Sequence, residues 1–106
     1  MHTARSRHCL ATAQAVVTEA RGGLEAAADL YADAAERWSD YGSVPERGQA
    51  LFGLGRCLVQ LGRPKGRNRL VEARAVFARL AARPLLTATD AWLQPDILYG
   101  HGSRPD

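Results

Sequence analysis

The chain lacks the uninterrupted apolar run of ~20 residues that a membrane-spanning helix requires, so no span is expected. Cysteine is nearly absent: Cys9 and Cys57 stand apart, with no paired spacing around either. That pattern excludes a disulfide framework and the usual zinc patterns, and it suits reduced thiols in the cytoplasm. Valine and isoleucine are scarce, and no stretch alternates apolar with polar residues, so no strand is expected. Histidine is confined to positions 2, 8 and 101. A nucleophile, a base and an orienting group are therefore not assembled around any core position, and no serine stands in a nucleophile-elbow context. The expectation is a non-enzyme without metal or cofactor.

Alanine supplies much of the 46% hydrophobic content of the 106 residues. It is the strongest helix former and adds little bulk, so the reading is all-α with closely spaced helices. Charged residues make up 24%, a globular balance, and the formal net charge of +3 is mild. Residues 1–10 carry basic groups but no apolar segment follows them, so a secretory signal is not expected.

Helical periodicity divides the chain into five segments. The first runs from Thr3 to about Arg21, with Leu10, Ala13, Val17 and Ala20 in a thin stripe of mostly small residues, broadened by Ala11 and Ala15. Gly22 and Gly23 close it. From Leu24 to Tyr41, Leu24, Ala27, Ala28, Tyr31, Ala34, Ala35, Trp38 and Tyr41 share one face. Gly42 ends that helix, and Ser43-Val44-Pro45-Glu46 has the form of a capping box. The third helix is expected from Val44 to Leu61, apolar over so much of its circumference that neighbours should flank it on two sides. Gly53 and Gly55 inside it each forfeit ~1 kcal/mol of helix propensity, which points to close approach by other helices. They do not form a dinucleotide fingerprint, which needs a preceding strand and a third glycine.

The fourth helix begins between Pro64 and Asn68 and reaches about Ala82, with Leu70, Ala73, Phe77, Leu80 and Ala81 as its face. Arg83-Pro84 is expected to interrupt it, and a short fifth helix spans Leu85 to Leu93 before Pro95. This places a helical domain over residues 1–94 and a flexible tail over 95–106.

Gly22 and Gly62 stand forty positions apart, each between two amphipathic helices. Leu30 and Leu70 match at the same interval, and Trp38 and Phe77 at one less. A helix–turn–helix unit recurring at that period is the mark of an α-solenoid. Gly55, Leu58 and Gly62 resemble the small–large–glycine positions of tetratricopeptide (TPR) repeats. Ala27 matches the alanine that follows the family's glycine turn, whereas Arg67 stands there in the second unit, and the signature tryptophan and tyrosine are missing. The runs 31–38, 54–58, 61–64, 72–77 and 82–86 are similar to the C-terminal repeats of large actinobacterial LuxR-type and cyclase-like ATPase regulators.

The resemblance implies antiparallel hairpins stacked as a short TPR-like solenoid of about five helices. It also implies a sensor or scaffold arm in transcriptional regulation, either as a stand-alone chain or as a C-terminal piece. The concave surface of such a module would take a protein or peptide, with His8, Thr12, Gln49, Arg56 and Gln60 as its candidate lining. Arg63, Lys65, Arg67 and Arg69, with Arg56 and Arg74 nearby, form the one basic run. It is a candidate edge of the partner site. Without interleaved aromatics it is a poor nucleic-acid surface, and polyanion contact is the minor alternative. The main alternative is a structural or dimerisation fragment without a partner surface, since uncapped repeat ends favour a homodimer.

Overall fold

The computed structural model describes residues 4–93, which form five helices and no strand. They are α1 (Ala4–Ala20), α2 (Leu24–Tyr41), α3 (Val44–Gln60), α4 (Lys65–Arg79) and α5 (Arg83–Leu93). Each packs on the next, and α1 also reaches α3. The expected tail and the stop at Pro95 lie outside the described residues.

Every connection uses the same turn. A residue in the left-handed region follows each of the first four helices: Gly22 (φ 86°), Gly42 (φ 89°), Gly62 (φ 74°) and Ala81 (φ 56°). The next amide then bonds back over the helix end, Gly23 to the Thr18 carbonyl (3.0 Å), Ser43 to Trp38 (3.0 Å), Arg63 to Leu58 (2.9 Å) and Ala82 to Phe77 (2.9 Å). This is the Schellman arrangement, which satisfies carbonyls that the helix itself leaves open.

Two expectations at the fourth turn are corrected. The fourth helix stops at Arg79, so Leu80 is exposed and Ala81 belongs to the turn. Arg83 and Pro84 begin α5 where an interruption was expected. Pro84 sits in a first turn, where its missing amide is harmless, as Pro45 does in α3. The capping box at α3 is also altered, because the Ser43 hydroxyl bonds the Glu46 carboxylate and caps no backbone amide.

The core is built around α3. Gly48, Ala50, Leu51, Phe52, Gly53, Gly55 and Cys57 are all buried on it. A Cβ at Gly53 would overlap the Tyr31 ring of α2, and one at Gly55 would lie 2.6 Å from the Leu70 side chain of α4. These glycines therefore serve close packing on opposite flanks of one helix. Gly48 does the same against Val76 and Phe77, a role not expected from the sequence.

The burial pattern repeats. Ala27, Tyr31, Ala34 and Trp38 of α2 correspond to Gly66, Leu70, Ala73 and Phe77 of α4, all buried and each pair 39 positions apart. The second-hairpin counterpart of Ala27 is thus Gly66, and Arg67 points away as an exposed residue. In α1 the packed face is the polar-leaning set His8, Thr12, Ala15 and Glu19. Leu10 (53% exposed) and Val17 (47% exposed) of the expected apolar stripe stand outward.

Ala81 is the one alanine in a left-handed turn among the described residues. A side chain there opposes the conformation by ~1 kcal/mol or more, and its counterparts are glycines. Ala81→Gly should therefore raise the unfolding free energy by about 0.5–1 kcal/mol in urea titrations, and a loss of stability would contradict the strain.

Candidate functional site

Three helices meet at one partly buried charge cluster. The Arg56 guanidinium of α3 donates to both oxygens of Glu19 on α1, Nε to Oε2 at 3.0 Å and Nη2 to Oε1 at 2.7 Å. The Tyr31 hydroxyl of α2 donates to the same Oε1 at 2.7 Å. Arg56 also lies over the Phe52 ring at 4.5 Å and the Tyr31 ring at 5.9 Å. A two-pronged pair so shielded is worth more than an exposed pair such as Arg37–Asp33, which contributes ~0.5 kcal/mol or less.

The surroundings shift the titrating groups. Burial alone would raise the Glu19 carboxyl, but hydrogen bonds from Arg56 and Tyr31 and the Arg56 charge outweigh it and hold it below its ordinary 4.5. Burial, reinforced by the Glu19 bond, drives the Tyr31 phenol upward. Burial and the Glu19 charge push the Cys57 thiol up to about 11, so Cys57 stays protonated and inert. Cys9 is free and exposed.

A second polar contact secures α1 to α2. Trp38 is almost wholly buried, and its indole Nε1 donates to Thr12 Oγ1 at 2.9 Å. The same hydroxyl donates to the His8 carbonyl at 3.0 Å. The His8 ring stands edge-on to Trp38 and Tyr41, with centroids 5.3 and 5.4 Å away. Arg5 covers the indole at 5.6 Å and pairs with Glu46 of α3 at 3.5 Å.

Between α1 and α3 these contacts leave a cleft of about 250 Å³ lined by Cys9, Thr12, Ala13, Trp38, Glu46 and Gln49. The hydroxyl of Thr12 is already bonded within the chain, and the Glu46 carboxylate is held by Ser43 and Arg5. The Ser43 bond is the largest influence; it outweighs the opposing effect of burial and, with help from the residue's own backbone amide and then from Arg5, keeps that carboxyl below its ordinary range. Gln49 is exposed, and its amide has no recorded partner among the described residues.

Of the expected partner residues, Thr12 and Gln49 share the cleft and Gln60 lies against Arg56, while most of the others are engaged within the chain. His8 and Thr12 are committed to Trp38, Arg56 to Glu19, and the Gln60 amide to the Arg56 carbonyl at 3.2 Å. Arg63 pairs with Glu25, and Arg67 Nη1 donates to the Leu93 carbonyl at 3.1 Å. Arg69 pairs with Glu72 at 3.0 Å and Arg74 with Asp90 at 2.5 Å. Most of the basic run thus ties helices to one another, and of the six candidates Gln49 and Lys65 stay exposed and unbonded among the described residues. Glu19 and Trp38 as polar anchors were not foreseen, because their partners lie 37 and 26 positions away. Among the described residues no three His, Cys, Asp or Glu side chains are placed to share a metal ion, and no helix is long and apolar enough to cross a membrane.

Because Glu19 titrates lower in the folded chain than in the unfolded one, its contribution is complete above about pH 4.5 and is lost as the pH falls through the lowered value. Glu19→Gln should reduce stability by about 1–3 kcal/mol at pH 7. The difference from wild type should shrink towards pH 3 in urea titrations, whereas a difference independent of pH would contradict the assignment.

No family model, curated protein or solved structure matches the chain, so the function of the cleft is read from its own geometry.

Proposed function

We propose that the protein is a non-catalytic interaction module, its hairpins stacked in the manner of a short TPR-like solenoid. In this reading it holds a protein or peptide segment along the cleft between α1 and α3. The observation that carries the reading is the character of that cleft: a largely apolar hollow, floored by Ala13 and Trp38, with the unbonded Gln49 amide at its edge. A carboxamide can both donate to and accept from a peptide backbone, while the hollow receives an apolar side chain. The repeating turns and the matched burial of α2 and α4 support the stacked-hairpin part. The sequence likeness to C-terminal repeats of bacterial regulators supports a role as a sensor or scaffold arm of such a regulator.

Photocrosslinking tests the reading directly. With p-benzoylphenylalanine in place of Gln49, illumination in the producing cells should yield one dominant protein adduct, absent when the probe replaces the exposed Asp29 of α2. Equal labelling at both positions, or none at Gln49, would favour a purely structural arm.

A further inference from the structure

The contacts of α1 with α2 reproduce those of α3 with α4. His8 and Thr12 meet Trp38 as Gly48 and Phe52 meet Phe77, and Ala15 shares a buried cluster with Tyr31 as Gly55 meets Leu70. In sequence, α1 and α3 positions correspond at an interval of forty. The equivalence can therefore be extended to the opposite face of each helix. On α3 that face is Ala50, Gly53, Leu54 and Cys57, and α2 covers it, with Tyr31 directly over Gly53. The same positions on α1 are Leu10, Ala13, Gln14 and Val17. Together with Leu30 and Arg21 they line an open groove of about 410 Å³, uncovered by any described residue.

We propose that this groove is a docking site for an amphipathic helix of a partner protein, lying antiparallel to α1 as α2 lies on α3. The equivalence also states the chemistry of the occupant. Where α3 has Gly53, α1 has Ala13, and a Cβ there would overlap a ring placed like Tyr31. The occupant therefore presents a small residue at its centre. Its flanks are acidic: Arg7 and Arg21 have no recorded partner among the described residues and border the apolar stripe. On α3 the counterpart of Arg7 is Arg47, which shares a cleft with Glu36 of α2. A second copy of the chain suits the groove less well. Antiparallel pairing of two α1 helices about Gln14 sets Arg7 of one copy opposite Arg21 of the other, a like-charge encounter. The groove shares only Ala13 with the cleft at Gln49, so it is a separate surface.

The chain's own α2 supplies the probe. A labelled peptide of residues 24–41 carrying Tyr31→Ala keeps the acidic Glu25 and Glu36 and places a small residue over Ala13. Fluorescence anisotropy with the full chain should show saturable binding at least tenfold tighter than for the unaltered peptide. Adding Glu36→Lys to the peptide should weaken binding by a further measurable factor. Val17→Glu in the protein changes an exposed side chain, so circular dichroism should stay unchanged while binding falls tenfold or more. No binding at millimolar peptide, binding indifferent to Val17→Glu, or equal binding of the two peptides would each overturn the proposal. So would a chain that dimerises alone in sedimentation and becomes monomeric with Val17→Glu, since a second copy would then own the groove.

Discussion

Helix α3 has to accept a neighbour on each flank at nearly backbone contact, and the arrangement of the other helices follows from that. Three glycines, Gly48, Gly53 and Gly55, remove the side chains that would hold α2 and α4 away. Each weakens the helix by ~1 kcal/mol of intrinsic propensity. Full burial of Tyr31, Leu70 and Phe77 offsets this, since a large apolar side chain is worth ~1.5–3 kcal/mol when removed from water. Packing thus prevails over local preference, and the flexible residues end up in the most enclosed helix of the chain.

Close packing around α3 also determines where polarity can be buried. With Tyr31 drawn against Gly53, its hydroxyl reaches Glu19 on α1, and Arg56 closes the triangle from α3. One ion pair then couples three helices in a place partly shielded from water. At the outer margins the ion pairs are exposed, as with Arg63–Glu25 and Arg74–Asp90, and orient the helices more than they stabilise them. The surfaces proposed for partners lie beside α1, the helix held mainly by polar anchors.

Much of this was legible from residue spacing. The bounds and buried face of α2 follow from a clean apolar stripe, and the need for packing partners at Gly53 and Gly55 follows from glycine's poor helix propensity. The α1 stripe misleads, because periodicity reports an apolar face without saying whether the chain covers it; here Thr12 and Glu19 are turned inward by partners distant in sequence. Gly66, by propensity a weak position in the first turn of α4, lies against the backbone of Val59. Residue spacing presents the basic run as a free surface, because salt bridges such as Arg63–Glu25 span 38 positions and leave no local pattern. The cleft at Gln49 is likewise a product of how α1 and α3 are set beside each other.

Gly53 admits the Tyr31 ring, and a double-mutant cycle between the two positions measures that directly. In the wild-type background, Gly53→Ala should lower the unfolding free energy despite the better helix propensity of alanine, because the new methyl meets the ring. In a Tyr31→Val background the ring is gone, and the same substitution should become stabilising by up to ~1 kcal/mol. Urea titrations should therefore show a reversal of sign between the two backgrounds. An equal effect of Gly53→Ala in both backgrounds would contradict it.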